Sequence, residues 1–345
     1  MSDSDLWPSL LSRVAAGGSL SVEEAENAAR SIMREEATPA QVAGFLMALR
    51  TKGETADELE GFARAMLAMA HRVESDEPVV DTCGTGGDRA GTFNISTIAA
   101  IVVAACGVRV AKHGNRAASS RCGSADVLEG LGVRIDLDRA GVARCLEDVG
   151  IGFMFAPVFH PATAYAAGIR RELHVPTLFN FLGPLTNPAR PVAQVVGVSD
   201  PRMLPLVAQV LARRGAHAMV FRGEDGLDEL TTTALSTVQE TRDGQVRERM
   251  LDASDLGLAK ATAEDLRGGD LETNVAIARS ILRGQTGPRR DVVLLNAAAA
   301  LDVAGAVGSL EEGIARAGEA IDRGSALGLL DRWVAASQAA APNAG

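Results

Sequence analysis

The chain has 345 residues, 47% of them apolar and 23% charged, enough to bury a full-sized core and to divide into two domains. A formal net charge of −10 argues against a general nucleic-acid or anionic-membrane surface, and no uninterrupted run of 18 apolar residues is available to span a bilayer. The acidic start Met1-Ser-Asp-Ser-Asp5 lacks the basic and apolar regions of a secretory signal, so a cytoplasmic protein is expected.

The first 70 residues read as helices. Ser21 with Glu24 three residues on signals one start, and Thr38-Pro39 signals another, ahead of Val42, Phe45, Leu46 and Leu49. A third helix is expected over Ala56 to Val73. None of these presents obvious chemistry, and residues 1–75 are expected to form a small helical domain.

From Pro78 the pattern changes to short apolar runs alternating with helices, as in an α/β domain with a mainly parallel sheet. Strands are expected over Val79 to Thr82, Val108 to Ala111, Ile151 to Phe155, Val192 to Gly197 and Ala218 to Phe221. Helices are expected over Ser124 to Leu131, Ala140 to Val149 and Arg202 to Arg214. Asp243-Gly244 suits the turn of an antiparallel hairpin over Gln239 to Arg249. Alanine-rich helix is expected over Thr273 to Arg283 and Asp291 to Ala317, with residues 336–345 as a flexible tail. The α/β domain would thus occupy residues 76–335.

Two loops in this region carry the chemistry. Asp81 to Thr97 sets Gly84, Gly86 and Gly87 after a strand and before an apolar helix, where backbone N–H groups and the helix dipole favour an anion. It matches neither the mononucleotide nor the dinucleotide glycine fingerprint. Asp88 would repel phosphate unless a cation or a water network intervenes, which hints at a divalent metal. Lys112 to Asp126 follows the next strand and combines a cation with amide and hydroxyl donors at Asn115, Ser119, Ser120 and Ser124. In a βαβ arrangement both loops emerge at the carboxyl ends of parallel strands, where ligands collect. Cys83, Cys106, Cys122 and Cys145 show no metal spacing and no adjacent activating histidine, so they read as reduced packing thiols.

Gly84-Thr-Gly-Gly-Asp88, Asn94-Ile-Ser-Thr97, Lys112-His-Gly-Asn115 with Ser119-Ser120, Gly123-Ser-Ala-Asp126, Phe179 to Pro188 and Gly226-Leu-Asp-Glu229 together resemble the anthranilate phosphoribosyltransferase family, over about residues 10 to 333. The resemblance implies a nucleoside-phosphorylase-like fold: a small helical domain, with a contribution from about residues 160–190, and a large α/β domain. It also implies a homodimer joined through the helical domains.

The implied reaction moves 5-phosphoribosyl from its 1-diphosphate to the amino group of anthranilate, in tryptophan biosynthesis. By motif, Gly84, Gly87, Asp88, Thr92, Asn94, Ile95, Ser96 and Thr97 would line the donor site, with Lys112, His113, Gly114, Asn115, Arg116, Ala117, Ala118, Ser119, Ser120 and Ser124. Mg2+ would bridge diphosphate oxygens with Ser96 as one protein contact, and Asp228 and Glu229 would meet a second ion or its water shell, although sequence alone could equally read that pair as an acidic helix start. The resemblance implicates Asn115 and Arg170 for the aromatic acceptor, with Arg170 pairing with its carboxylate, Arg171 as rival and His113 and His160 nearby; His160 could also be a packing histidine.

Two positions depart from the family. Thr163 stands where a larger Met or Tyr is usual, and His174 where glycine usually follows Arg-Glu-Leu. The alternatives are a pyrimidine nucleoside phosphorylase, which would not explain Phe179 to Pro188 or Asp228-Glu229, and a non-catalytic nucleic-acid-binding relative, which should be basic and lack the acceptor and metal motifs. No catalytic base is expected, because the aromatic amine is uncharged near neutral pH.

Overall fold

A computed structural model describes residues 3–117 and 121–340 of the chain. Four helices come first: α1 (Asp3–Ala15), α2 (Val22–Met33), α3 (Pro39–Lys52) and α4 (Ala56–Met69). The last three start on reciprocal capping boxes, Ser21 with Glu24, Thr38 with Gln41 and Thr55 with Glu58, each satisfying two otherwise orphaned N–H groups. Glu58 does more, because its buried carboxylate also accepts from Leu20 N at 3.0 Å and from Lys52 Nζ at 2.8 Å. The α4 helix stops at Met69 and not at Val73, since Ala70 turns to extended backbone (φ −78°, ψ 151°) and Val73 joins the other core.

The remaining elements follow in the order β1 (Val80–Gly84), α5 (Ile95–Ala105), β2 (Val110–Gly114), α6 (Ser124–Leu131), α7 (Arg139–Asp148), β3 (Ile151–Phe155), α8 (Ala156–Phe159), α9 (Ala164–Leu173), β4 (Ala193–Gly197), α10 (Leu204–Arg213), β5 (His217–Gly223), β6 (Ser236–Arg242), β7 (Gln245–Leu251), α11 (Leu271–Leu282), α12 (Pro288–Val303), α13 (Leu310–Asp322) and α14 (Ser325–Ala339). They build a seven-stranded sheet of order β3-β2-β1-β4-β5-β6-β7. The strands are parallel through β5, and β6 and β7 add an antiparallel hairpin at the edge. Its turn places both Asp243 (φ 52°) and Gly244 (φ 75°) in the left-handed region, as the Asp-Gly pair anticipates.

Alternation of side chains along the strands divides the apolar residues between two cores. Val195, Met219, Phe221 and Val238 belong to a core shared with α5 and with α12, which is buried along most of its length. Val196, Val198, Ala218 and Val220 project into the second core, shared with α10 and the N-terminal helices. Ala166 and Ile169 of α9 join that second core, and Phe179 meets Phe62 edge-on at 5.5 Å. Residues 166–182 therefore pack on the helices although they lie far away in sequence.

Three expectations need correction. The ladder of β2 continues through Lys112, His113 and Gly114, so these residues are strand and not loop. Helix does not run unbroken from Asp291 to Ala317; residues 304–309 separate α12 from α13, and the N–H groups of Ala304, Gly305 and Ala306 close the first helix. The expected tail is helical through Ala339: Ser337 is buried and its hydroxyl accepts from Arg134 N at 3.0 Å, while Ala340 O accepts from Arg144 at 2.6 Å. Residues 341–345 lie outside the described residues.

His174 ends α9 in the left-handed region (φ 52°, ψ 19°), where a Cβ is crowded and glycine is not. His174→Gly is expected to raise stability by about 0.5–1 kcal/mol, the relieved strain less the added freedom of the unfolded chain. Denaturant titration checks this, and a loss of stability would mean that the imidazole makes a compensating contact.

Candidate active site

The strand order turns at β1, whose neighbours β2 and β4 continue in opposite directions across the sheet. At such a switch point the loops beyond the carboxyl ends diverge and leave a crevice. Gly86 (φ 68°), Gly87 (φ 85°), Arg89 (φ 59°) and Gly91 (φ 68°) carry the first loop through left-handed backbone. Ser199, after β4, fastens it: Thr85 N donates to Gly197 O at 2.9 Å, and the Ser199 hydroxyl donates to Gly86 O at 2.8 Å. Ser199 carried no signal in the sequence.

The segment Gly226 to Glu229 lies directly against this crevice. A Cβ on Gly197 would fall 1.6 Å from Asp228 O, and one on Gly84 would fall 2.2 Å from Asp228 Oδ2. Close approach of backbone is therefore the reason for glycine at both positions. Asp228 Oδ2 accepts from Gly86 N at 2.6 Å, and Glu229 Oε1 accepts from Ser96 N at 3.1 Å. Buried Asn296 on α12 holds the next residue, exchanging bonds with Leu230 N at 3.1 Å and Leu230 O at 2.8 Å.

Electrostatically these carboxylates are unsatisfied. Burial, then the charges of Asp88 and Glu229, pushes the Asp228 carboxyl well above its ordinary range. Burial lifts Glu229 to about 7, although Lys112 and the Ser96 N–H and hydroxyl pull it back. Neighbouring carboxylates that repel one another favour a bound cation, and oxygen donors suit a hard one. No closed group of three or more His, Cys, Asp or Glu ligands exists among the described residues. An ion that retains waters and takes phosphate oxygens, as Mg2+ does, fits this incomplete shell.

The other donor-site residues fall into distinct roles. Asn94 caps α5 without a side-chain cap bond, and its amide donates to Cys122 O at 3.1 Å, tying the two loops together. Thr97 is buried with its hydroxyl unpaired, and Thr92 bridges to Arg267. Ile95 has its side chain fully buried in the core and its N–H bonded to Phe93 O at 2.8 Å.

Lys112, expected as a point charge for phosphate, is a buried one. It is 2% exposed, with Nζ donating to Thr82 O and its charge balanced by Asp81 and Glu229. Asp81, which sequence reasoning did not single out, accepts from His113 N at 3.3 Å and from Asn187 Nδ2 at 2.8 Å. Arg116 pairs with protein carboxylates, 2.8 Å from Asp126 and 2.9 Å from Glu129, and so braces the loop. Asp126 gathers that loop by accepting from Ala117 N at 3.1 Å and Gly123 N at 2.8 Å. Asn115 O receives the Ser124 hydroxyl at 3.2 Å, and Gly114 has no room for a Cβ, which would sit 2.4 Å from Ser124 Oγ. Ala118, Ser119 and Ser120 lie outside the described residues. All four thiols are raised by burial, which removes the thiolate that nucleophilic chemistry needs.

Beside the donor loops the rings of His113 and His160 lie 5.1 Å apart, and His113 Nδ1 faces Gly183 O at 3.1 Å. His113 Nε2 is buried without a partner. Thr163 donates its hydroxyl to His160 O at 2.8 Å, which places the shortened side chain at that end of the site. Arg170 projects from the last turn of α9 over the Phe179 ring (5.4 Å) and donates to Asn180 Oδ1 at 3.2 Å. It has no carboxylate partner among the described residues, and burial lowers its pKa. A half-buried guanidinium without an acid partner can receive the carboxylate of a ligand.

Burial lowers His113 to about 3 and His160 to about 4. Both rings bind fewer protons folded than unfolded, so their contribution is fully present above about pH 6.5 and lost as pH falls towards the folded values. Between pH 6 and 4.5, each should add up to about 1.4 kcal/mol per pH unit to the slope of stability. His160→Asn should remove its share in denaturant titrations across that range; an unchanged slope would show that the ring is protonated in the fold.

Comparison with known proteins gives a uniform result. The family described as "Glycosyl transferase family, a/b domain" matches residues 76–327, and "Glycosyl transferase family, helical bundle domain" matches residues 8–70. The chain is 57% identical over 344 residues to anthranilate phosphoribosyltransferase of Acidothermus cellulolyticus, covering 98% of this chain and 97% of that one. It is similar to the crystal structure of anthranilate phosphoribosyltransferase from Thermus thermophilus, with TM-score 0.91, 45% identity and coverage of 95% and 99%. The Saccharomyces cerevisiae anthranilate phosphoribosyltransferase solved with PRPP and Mg has TM-score 0.88, 27% identity and coverage of 96% and 98%.

Proposed function

Because the chain belongs to the anthranilate phosphoribosyltransferases of the glycosyl transferase family, we propose that its glycine loop, Lys112 loop and Asp228-Glu229 segment form the donor half of the active site, and the Arg170 cluster the acceptor half. The enzyme transfers 5-phosphoribosyl from 5-phosphoribosyl 1-diphosphate to the amino group of anthranilate. The bond from ribose C1 to diphosphate oxygen breaks with its electron pair leaving on diphosphate. A bond from C1 to the amine nitrogen forms, and the amine proton passes to solvent.

The observation that carries the proposed donor half is the juxtaposition of left-handed glycine backbone with buried, mutually repelling carboxylates. Mg2+ held by Asp228, Glu229 and their neighbour Ser96 would neutralise charge gathering on the departing diphosphate. With the N–H groups of Gly86, Ile95 and Ser96 taken within the fold, those of Gly87 and of Thr97 in the first turn of α5 would serve phosphate oxygens. Asp126 and Arg116 hold the loop after β2 in shape, while buried Lys112 offsets the charges of Asp81 and Glu229 beneath it. On the acceptor side Arg170 pairs with the anthranilate carboxylate and Phe179 orients the guanidinium plane. Neutral His113 and His160 form a wall there, and no general base is needed, so rate comes from orientation and leaving-group stabilisation.

The test is calorimetric binding of 5-phosphoribosyl 1-diphosphate with and without Mg2+. Tight binding only with the ion supports the reading, and equal binding in its absence contradicts it. The homodimer and cytoplasmic location implied by family resemblance belong to the same proposal. Light scattering at twice the 35.8 kDa chain mass would bear out the dimer.

A further inference from the structure

A second cavity, of about 420 Å³, opens at the end of the sheet opposite the active site. Its wall includes Val192 and Gln194 at the start of β4 and Gly215-Ala216 just before β5, whereas the donor loops leave the other ends of the same strands. Arg64, Arg190 and Arg214 line it, with Glu60 as the only carboxylate on the lining.

Glu60 is 5% exposed and fully engaged, with Oε1 2.6 Å from Arg64 Nε and Oε2 2.8 Å from Arg214 Nε. Arg214 Nη1 donates to Leu185 O at 2.7 Å, which leaves Nη2 buried and without a partner. Arg190 is held at the rim by left-handed backbone (φ 50°), and its charge and that of Arg64 both repel Arg214. On the lining itself three guanidinium groups face one carboxylate beside an orphaned buried donor, with Glu26 and Glu23 acting on Arg64 from outside the cavity. That is the signature of a site for an oxyanion. Leu67, Leu185 and Leu211 give the wall an apolar part, and Val192 is 59% exposed at the mouth.

We propose that this cavity binds a small molecule carrying one phosphate or carboxylate on a compact apolar body, with the oxyanion received by Arg64, Arg190 and Arg214. The site stands apart from the reaction already described, because none of these arginines belongs to the donor or acceptor half. Asn187 also lines the cavity, but it holds Asp81 beneath the active site and is therefore left intact in the test.

Saturation-transfer NMR with phenyl phosphate, phenylacetate, inorganic phosphate and benzyl alcohol, in the presence of 5-phosphoribosyl 1-diphosphate and Mg2+, reads out binding. At least one of the two aryl anions should bind, benzyl alcohol should not, and inorganic phosphate should bind more weakly than phenyl phosphate. Which aryl anion binds tighter identifies the headgroup. Combining Arg64→Gln with Arg190→Gln should weaken binding roughly ten- to hundredfold, the loss of charge-assisted bonds. These two side chains lie at the solvent-facing rim, so turnover should be unchanged. Ala68→Trp, at an exposed position on the cavity wall, should block binding without removing any charge. Arg170→Ala should leave it intact. Binding abolished by Arg170→Ala, or unaffected by both the arginine pair and Ala68→Trp, would overturn the proposal, as would no binding by either aryl anion.

Discussion

Asp228→Asn combined with Glu229→Gln is expected to lower turnover by about 10²–10³-fold, the loss seen when preorganised stabilisation of a developing negative charge is removed. The substitutions keep shape: an asparagine oxygen can still accept from Gly86 N, and a glutamine oxygen from Ser96 N. What they remove is the charge that retains a hard cation, so the Mg2+ concentration for half-maximal rate should rise as well. In the metal-free protein they should stabilise, because burial and mutual repulsion raise both carboxyls in the parent fold. Lower turnover with an equal or higher melting temperature separates loss of the ion site from damage to the fold. A fall in melting temperature matching the fall in rate would assign the pair a structural role instead.

Arg170→Ala is expected to raise the KM for anthranilate while leaving that for 5-phosphoribosyl 1-diphosphate almost unchanged. One charge-assisted hydrogen bond is worth about 1.5–3 kcal/mol, which corresponds to a loss in kcat/KM for anthranilate of roughly 10- to 150-fold. The side chain also donates to Asn180 and covers Phe179, so its removal loosens the acceptor wall in addition to deleting a charge. Arg170→Lys keeps the charge but not the planar fork and should fall between the two. Steady-state kinetics with each substrate varied in turn would decide it; an effect confined to the donor would exchange the roles assigned to the two halves.

The architecture was legible where hydrophobic period and turn chemistry agree. Ser21, Thr38 and Asp243-Gly244 mark their elements because caps and tight turns depend on neighbours only a few residues away. His174 departs from the family glycine at a residue whose φ of 52° shows why glycine suits it. Reading failed where polar groups are buried by distant partners. Hydropathy ends β2 at Ala111, but Asp81 and the Thr82 carbonyl allow the ladder to carry Lys112 and His113 inward. The pairing of Arg116 likewise depends on α6, which brings Asp126 and Glu129 around to it. Ser199, Asn187 and Asn296, which hold the site in shape, act across gaps of 113, 106 and 66 residues, beyond any local pattern. Likewise the expected tail from residue 336 is held by a distant partner, since Ser337 is buried and accepts from Arg134 N.

The central claim is tested most directly by incubating the purified protein with 5-phosphoribosyl 1-diphosphate, anthranilate and Mg2+ and quantifying all products. The account predicts that anthranilate disappears in equal amount to the N-(5-phosphoribosyl)anthranilate and diphosphate formed, and that chelating the ion stops the reaction. No adduct at any Mg2+ concentration, or an undiminished rate after chelation, would contradict it.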